Sequence, residues 1–299
     1  MQSLEQLNRE FSIDPCIKFI AGPSGMPVID INCEYATAHI ALYGGQVLSY
    51  KPRAAFDDLL FLSNKAIYEQ GKAIRGGIPV CWPWFGDHPE KGKSAHGFAR
   101  NLFWDVAKIE RIDNGLIITL KLESTATSKQ WWPYDFRLLK RITITDTLNI
   151  ELISINIGKQ VFYLSEALHT YLRVGDINQT SVTGLDAMSY LDKTEQFKQK
   201  KQVDAVTVDD ETDRIYLSGD KAVCVEDVAL KRRIHISHHG ADNMVIWNPH
   251  HKAAELNDLA EGDERCFICV ESANAITDSV CIKPGEQHTM QVCYRIEQQ

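Results

Sequence analysis

Two residues of this sequence combine acid–base chemistry with an apolar setting. Glu271 directly follows the apolar run Cys-Phe-Ile-Cys-Val, and His169 lies in the strand-like stretch EALHTYLRV. Partial burial raises the pKa of a carboxyl group, which lets it act as a base near neutral pH. The alternatives are that Glu271 ends a strand and points to water, and that His169 is a hydrogen-bonded structural residue. The residues alone leave this choice open, because perturbed groups mark functional sites only statistically.

The stretch RGGIPVCWPWFGDHPEKGKSAHGFARN, residues 75–101, suits neither a helix nor a regular strand. Its glycines allow backbone conformations closed to other residues, and its prolines remove amide donors. Its bulky aromatic side chains can bury enough surface to order so long a loop. Arg75 and Arg100 bracket the loop, and each guanidinium can hold an anion through two parallel hydrogen bonds. The alternative is a structural crossover that carries two surface arginines.

The sequence also holds residue types that bind metals in other proteins. His235, His238 and His239 stand together in RIHISHHG, and Cys266 and Cys269 form a C-x-x-C pair. No H-E-x-x-H or comparable frame supports the histidines, and strand alternation puts the two sulfur atoms on opposite faces. We therefore predict no metal site, and the residues leave open whether the cluster of His235, His238 and His239 has any role.

Composition and missing motifs exclude several classes of protein. The 299 residues carry a net charge of -8, whereas nucleic-acid binders usually present a basic face. The sequence has no apolar run long enough for a membrane span and no glycine motif for a nucleotide. The first residues lack the apolar core of a secretory signal, and eight irregularly spaced cysteines are typical of free cytosolic thiols. We expect a cytoplasmic protein with no nucleic-acid or membrane partner.

The apolar pattern predicts many short strands and few short helices. Residues 28–50 alternate apolar and polar side chains around a Gly-Gly bend, and residues 136–156 have the pattern of a β-hairpin. For residues 57–70 we predict a strand followed by a helical turn. Further strands are predicted at 103–108, 116–125, 161–172, 181–183, 214–217, 222–228, 232–237, 243–247, 266–271 and 289–295. This series indicates an all-β sandwich, with residues 1–24 as a lead-in and 25–299 as one domain.

A series of segments runs through most of the chain in a fixed order: RGGIP, an aromatic-rich stretch, HGFARN, HTYLRVGDI, GLDAMSYLDK, ETDRIY, VIWNP and CFICVESA. Each segment alone is a weak signal, whereas the combination is specific. The series resembles the glucose-6-phosphate 1-epimerases, hexose-6-phosphate mutarotases of the aldose 1-epimerase superfamily. The resemblance implies a large antiparallel β-sandwich, the galactose mutarotase-like supersandwich. It also implies interconversion of the α and β anomers of a hexose 6-phosphate, with glucose 6-phosphate as the first candidate.

The resemblance also implies roles for residues at matching positions. The family's catalytic histidine and glutamate fall on His169 and Glu271. The residues implied to bind substrate are the two loop arginines with a histidine, a lysine, an aspartate and a tryptophan: Arg75, Arg100, His96, Lys93, Asp213 and Trp247. The family commonly has Gln where this chain has Ala95, so one contact is missing there or is supplied by another residue such as Lys93.

The implied reaction removes a proton from the O1 hydroxyl of the sugar and delivers a proton to its ring oxygen. We predict that ionised Glu271 takes the first proton and that protonated His169 gives the second. A carboxylate such as Asp213 would keep His169 protonated by raising its pKa. The reaction needs neither a metal nor an organic cofactor.

The residue types alone do not exclude two other functions. An aldose 1-epimerase for free hexoses is the first, although a neutral sugar gives two arginines no anionic partner. A non-catalytic carbohydrate-binding protein is the second, although binding alone requires no acid–base pair. We expect a monomer whose partner is a small sugar phosphate.

Overall fold

The computed structural model of the protein describes residues 2–276 and 279–299, and strands dominate them. The two α-helices are α1 (Leu4–Phe11) and α2 (Ser128–Trp131), and neither is long and apolar enough to cross a membrane. Short 3₁₀ helices occupy Pro23–Gly25, Ala99–Asn101, Ile177–Gln179, Lys193–Glu195, His250–Glu255 and Asp263–Arg265. The strands are β1 (Ile17–Ala21), β2 (Pro27–Asn32), β3 (Ala36–Ala41), β4 (Gln46–Pro52), β5 (Val80–Cys81), β6 (Asp105–Ile112), β7 (Gly115–Glu123), β8 (Phe136–Ile144), β9 (Leu148–Asn156), β10 (Phe162–Leu164), β11 (Glu166–Leu168), β12 (Tyr171–Arg173), β13 (Thr180–Thr183), β14 (Ser189–Asp192), β15 (Lys198–Lys201), β16 (Thr212–Tyr216), β17 (Val223–Asp227), β18 (Arg232–His239), β19 (Asn243–Asn248), β20 (Phe267–Asn274), β21 (Val280–Ile282) and β22 (Gln287–Gln298).

The strands form two eight-stranded antiparallel sheets and two smaller ones. The first large sheet, called sheet I, has the order β15-β14-β16-β19-β20-β11-β5, and β12 also pairs with β20. The second, called sheet II, has the order β13-β17-β18-β22-β9-β8-β7-β6. Strands β1 to β4 form a four-stranded sheet, and β10 pairs with β21. This architecture confirms the predicted all-β antiparallel sandwich with few short helices.

Side-chain alternation creates the core between the two large sheets. Strands β8 and β9 bury every second residue, so sheet II presents an apolar face that includes Phe136 and Leu152. Strand β20 of sheet I contributes Ile268 and Val270 to the same core. Each such fully buried side chain stabilises the fold by roughly 1.5–3 kcal/mol relative to an exposed one. The opposite face of sheet I is therefore free to carry other residue types.

The single strand predicted for residues 161–172 is wrong, because the chain changes its pairing partner along this stretch. Strand β10 pairs with β21, whereas β11 and β12 both pair with β20. His169 and Thr170 lie between β11 and β12. The predicted hairpin of residues 136–156 is confirmed, with β8 and β9 paired from Phe136 to Asn156.

The strand and helical turn predicted for residues 57–70 are also wrong. The backbone is extended in part, but its amides donate to different neighbours in succession. The amide of Leu59 donates to the carbonyl oxygen of Tyr50, and that of Phe61 donates to Tyr171. Because no single partner strand accepts these hydrogen bonds, the stretch forms only isolated bridges.

Residues of the predicted lead-in pack on the main core. Helix α1 begins at a capping box, in which Ser3 and Gln6 exchange side-chain and backbone hydrogen bonds. Leu7 is buried in the core that the large sheets share, and β1 pairs with β2. The division of the chain at residue 25 stays a prediction.

Lys140 lies on β8 with its side chain in the core and no exposed surface. Its ammonium nitrogen Nζ lies 3.4 Å from the carbonyl oxygen of Ile78. Burial alone lowers the pKa of Lys140 from 10.5 to about 7. In the unfolded chain Lys140 has its ordinary pKa. Between pH 7 and pH 10.5 the unfolded state therefore binds more protons than the folded state. The free energy of unfolding should therefore rise with pH across this window.

Replacing Lys140 by Met should stabilise the protein at neutral pH, because it removes a buried ammonium group and keeps a side chain of similar length. In the wild type, Lys140 should add at most about 1.4 kcal/mol to the free energy of unfolding per pH unit within the window. Urea unfolding near neutral pH and about two pH units higher measures this rise, and Lys140→Met should lack it. Lys108→Met on the exposed side of β6 is the control. The same pH dependence in wild type and Lys140→Met would contradict the prediction.

Candidate active site

His169 and Glu271 lie side by side on sheet I. Leu168 stands opposite Ser272 where β11 pairs with β20, and the pairing of β12 with β20 keeps the same register. Continuing this register through the break places His169 opposite Glu271. The Nδ1 atom of His169 lies 3.2 Å from the Oε1 atom of Glu271. The structure thus brings together the two residues that the sequence predicts to be catalytic.

The pair is more deeply buried than the sequence indicates. Glu271 exposes 1% of its surface and His169 exposes 8%. Strand β20 continues beyond Glu271 to Asn274, and all eight of its residues are buried. Glu271 therefore neither ends its strand nor points to water.

Both side chains retain unused hydrogen-bonding capacity. The Nδ1 atom of His169 and the Oε2 atom of Glu271 are buried, and neither has a hydrogen-bond partner among the residues described. The 3.2 Å contact between Nδ1 and Oε1 is thus close but poorly aligned for a hydrogen bond. Buried polar atoms are normally satisfied, so these two atoms without a partner among the described residues point to a ligand that supplies one.

The loop after Arg75 is held against the pair by close backbone contact. The backbone N–H of His169 donates to the carbonyl oxygen of Pro79 at 3.0 Å. Gly77 has a φ of 62°, and a Cβ atom there would lie 2.3 Å from the carbonyl oxygen of Val47. Only glycine fits this approach, which explains why the segment needs its paired glycines.

Arg75 stands beside the pair with two protein partners. Its Nη1 atom donates to the hydroxyl oxygen of Tyr171 at 2.8 Å, and its Nε atom pairs with a carboxylate oxygen of Asp258 at 3.1 Å. The ring of Tyr171 stacks on that of His169 at 4.8 Å with an angle of 6°. Arg75 therefore helps to orient His169 through Tyr171, a link that the sequence did not indicate.

Arg100 and His96 come from the far end of the same loop. The Nη2 atom of Arg100 donates to the carbonyl oxygen of Ala95 at 2.9 Å, while its Nε atom is buried without a partner among the described residues. The ring of His96 lies 5.9 Å from that of His169. Burial, with the nearby charge of Arg100 second, lowers the pKa of His96 to about 3. His96 is therefore neutral at physiological pH.

A row of side chains crosses sheet I next to the pair. Asp213 stands opposite Trp247, and Trp247 stands opposite Cys269. Lys193 follows β14, and its Nζ atom lies 2.6 Å from a carboxylate oxygen of Asp213. The rings of Trp247 and His169 are nearly perpendicular, and their centroids lie 5.7 Å apart. Asp213 and Trp247 thus lie close to the pair, and their contact with substrate stays a prediction.

Lys193 is a site residue that sequence reasoning missed. It lies within the segment GLDAMSYLDK, but the strand that positions it, β14, shows no clear apolar alternation and was not predicted. The one feature of the sequence that could have indicated Lys193 was its positive charge at the end of this family segment. Lys93, by contrast, pairs with Glu90 at 2.8 Å and lines a cavity of about 210 Å³ with Trp84 and Trp131. The contacts of Lys93 do not link it to the catalytic pair.

The pKa directions of the pair differ from the predicted charge states. Burial raises the pKa of Glu271 well above its ordinary value, and the charge of Asp213 raises it further. Lys193 and Arg100 act in the opposite direction on Glu271. Burial lowers the pKa of His169 well below its ordinary value, and surrounding positive charge adds to this. In the ligand-free protein both residues therefore favour their neutral forms.

Asp213 does not take the role that was expected for it. Its carboxylate pairs with Lys193 and raises the pKa of Glu271, whereas burial and the surrounding positive charges lower the pKa of His169 well below its ordinary value. The expectation that Asp213 keeps His169 protonated is therefore wrong. Asp213 instead balances Lys193 at the edge of the site.

The predicted histidine cluster does not converge on one point. His235 pairs with Glu297, His239 pairs with Asp220, and His238 is buried on the other face of β18. Within residues 2–276 and 279–299, two groups of potential metal ligands come close together: His169 with Cys269 and Glu271, and Asp210 with His250 and His251.

Comparisons with known proteins agree on one relationship. A family model described as aldose 1-epimerase matches residues 27–295. A protein of Escherichia coli K12, provisionally named a glucose-6-phosphate 1-epimerase, is 37% identical over 268 residues, 89% of each chain. The crystal structure of a provisionally identified mutarotase from Salmonella typhimurium has a TM-score of 0.90 and 32% identity, covering 97% of this chain and 96% of that one. A galactose mutarotase-like protein from Clostridium acetobutylicum shares the fold, with a TM-score of 0.79 at 15% identity over 95% and 98% of the chains.

Replacing Lys193 by Met should raise the pKa of Glu271 further. The substitution removes a positive charge that favours the carboxylate, and it leaves Asp213 as an unbalanced negative charge. A ¹³C NMR titration of glutamate carboxyl carbons, with the Glu271 signal assigned by its loss in Glu271→Gln, measures the pKa directly. Lys193→Arg keeps the charge and should stay near the wild type. An unchanged or lowered pKa in Lys193→Met would rule out this electrostatic role.

Proposed function

Because this chain belongs to the aldose 1-epimerase family, we propose that it interconverts the α and β anomers of a hexose 6-phosphate, with glucose 6-phosphate as the preferred substrate. The observation that carries the proposal is the buried contact between His169 and Glu271 at 3.2 Å. The provisional name of the Escherichia coli relative supports the phosphorylated substrate.

The short distance between His169 and Glu271 matches the chemistry of ring opening. The O1 hydroxyl and the ring oxygen of a pyranose are bonded to the same carbon atom, C1. Two groups that serve these oxygens must therefore be neighbours rather than lie on opposite sides of the ring. A histidine and a glutamate in direct contact can reach both oxygens of one sugar, and rotation about C1–C2 then presents the other aldehyde face.

The number of protons that His169 and Glu271 hold together also fits the reaction. One proton leaves O1 and one arrives at the ring oxygen, so the pair must hold one proton before and after each opening. Burial of Glu271 and His169 favours this neutral pair with a single proton. When the O1 hydroxyl donates a hydrogen bond to Glu271, it favours the ionised carboxylate. Glu271 then accepts the O1 proton, and His169 delivers the proton to the ring oxygen.

The positive groups around the pair support a phosphorylated substrate. Arg75 and Lys193 have carboxylate partners in Asp258 and Asp213. Arg100 donates to one carbonyl oxygen and keeps a buried Nε atom without a partner among the described residues, so it has capacity left for an anion. We assign Arg100 the principal contact with the 6-phosphate and Arg75 a supporting one.

Other expectations from the sequence stay predictions. They are a monomeric state, a cytoplasmic location, a single domain over residues 25–299, and the absence of a cofactor and of nucleic-acid or membrane partners. A contact between Lys93 and the substrate also stays a prediction, and in the structure Lys93 lines a separate cavity with Trp84 and Trp131.

Replacing Glu271 by Gln should slow anomer exchange about 10²–10⁴-fold, because the amide cannot accept the O1 proton. Binding of glucose 6-phosphate should change little, since the base acts mainly in the transition state. NMR exchange spectroscopy between the two anomers measures the rate, and calorimetry measures the affinity. Glu297→Gln on β22 is the matched control and should behave as the wild type. Exchange at the wild-type rate in Glu271→Gln would exclude this glutamate as the base.

Replacing Arg100 by Gln should weaken the binding of glucose 6-phosphate roughly 10–100-fold, the usual effect of losing hydrogen bonds to a charged group. Binding of unphosphorylated glucose should be almost unchanged. Arg141→Gln, a substitution on the exposed side of β8, is the control for the loss of one positive charge. Calorimetric titration with both sugars compares the three proteins. Equal losses for glucose and glucose 6-phosphate in Arg100→Gln would contradict the phosphate assignment.

A further inference from the structure

Cys269 lies beside the catalytic pair without a part in the proposed reaction. It stands two residues before Glu271 on β20, so both side chains project from the same face of sheet I. One ligand atom from each of His169, Cys269 and Glu271 lies within 4.8 Å of the other two. The thiol is fully buried and belongs to a free cysteine.

Two of these three side chains have donor atoms that face no protein partner. The Nδ1 atom of His169 and the Oε2 atom of Glu271 are both buried and unsatisfied within the part of the chain that the structure describes. His169 and Glu271 are more than nine-tenths buried. A cation placed between them would satisfy both atoms at once.

The chemistry of the three donors selects the kind of cation. An imidazole nitrogen, a thiolate sulfur and a carboxylate oxygen together form a ligand set that suits Zn²⁺ and Co²⁺. Mg²⁺ and Ca²⁺ prefer sites made of oxygen atoms, so they should not compete. Zinc bonds of about 2.0–2.3 Å require ligand atoms roughly 3.5 Å apart, so atoms that lie within 4.8 Å of one another must move closer when the metal binds. Three protein ligands leave a fourth position for water.

We propose that His169, Cys269 and Glu271 form a site for Zn²⁺ whose occupation blocks the enzyme. Binding forms bonds from the metal to Nδ1, Sγ and a carboxylate oxygen, and both the thiol proton of Cys269 and the carboxyl proton of Glu271 leave to solvent. The metal then occupies the two groups that serve the sugar, so metal and sugar phosphate exclude each other. The binding part stands alone, whereas the inhibitory part rests on the proposed function.

The local charges permit a dication at this position. Arg75 and Lys193 are already paired with Asp258 and Asp213, whereas Arg100 has no carboxylate partner among the described residues and is the opposing charge that remains unbalanced. The thiolate and the carboxylate of the site together offset the charge of the metal ion. The binding of Zn²⁺ therefore needs no net positive charge to be buried without compensation.

A surface cluster provides a rival site and a control. Asp210, His250 and His251 also offer three ligand atoms within 4.8 Å of one another. The side chain of Asp210 is 76% exposed, and this cluster contains no sulfur. Metal bound there is distinguishable by its spectrum, because only a thiolate gives a sulfur-to-metal charge-transfer band.

Cobalt binding tests the site without reference to activity. Purified protein, stripped of metal with EDTA, is titrated with Co²⁺ and followed by absorption in the near ultraviolet. A thiolate-to-cobalt band should appear in the wild type and in His251→Ala, and it should be absent from Cys269→Ser and Cys269→Ala. Thermal unfolding confirms that each variant is folded. A wild type without the band, or a band that persists in both Cys269 variants, overturns the proposal.

Inhibition by Zn²⁺ tests the consequence for catalysis. Zinc should inhibit anomer exchange of glucose 6-phosphate in the wild type, in competition with the sugar phosphate, and EDTA should reverse it. Cys269→Ser should keep exchange near the wild-type rate and require at least roughly tenfold more zinc for the same inhibition, because it loses the thiolate ligand. Equal sensitivity of the wild type and Cys269→Ser overturns the inhibitory site. A wild type without any exchange activity would contradict the proposed function, and the cobalt band would still decide the metal site.

Discussion

The contact between His169 and Glu271 is the interaction on which the rest of the site depends. It follows from the antiparallel register of β20 with its neighbours β11 and β12. Backbone hydrogen bonds hold this register, so the distance between the two side chains does not depend on a flexible loop. The loop residues Arg75 and Arg100 approach a pair that the sheet has already positioned.

Burial of that pair makes its charged forms unfavourable, and the charges of the surrounding residues partly offset this effect. Removing a carboxyl group and an imidazole from water favours their neutral forms, yet acid–base chemistry needs charged forms to be accessible. Lys193 and Arg100 favour the ionised state of Glu271, while Asp213 opposes it. The site is therefore a balance between loss of hydration and fixed charges, and the substrate's own hydroxyl and phosphate groups complete it.

Much of this arrangement could be predicted from the sequence. Alternating apolar residues indicated the strands around residues 28–50 and 136–156, and motif order identified His169 and Glu271. Local patterns could not show that residues 161–172 change partner, because the pairing partners β20 and β21 are about a hundred residues away. Lys193 was missed for a related reason: its strand owes its place to pairing with β15 and β16 rather than to its own composition.

Charge states were the least predictable property. The segment ETDRIY placed Asp213 near the sugar, and we expected Asp213 to raise the pKa of His169. That segment does not contain Lys193, the residue with which Asp213 pairs. Lys193 pairs with the carboxylate of Asp213, and these two charges act in opposite directions on the pKa of Glu271. Burial depth, which exceeds what the apolar run before Glu271 indicated, determines the direction of both pKa values.

Strand β20 alternates between two environments: Ile268 and Val270 enter the core that the two large sheets share, while Cys269 and Glu271 project from the opposite face beside His169. A slip of one residue in its pairing would exchange these two sets, which would place Cys269 and Glu271 in the core between the large sheets and separate Glu271 from His169. Misregistered chains would consequently be unstable as well as inactive. Cellular proteases that degrade unstable proteins would thereby also remove the molecules that lack activity.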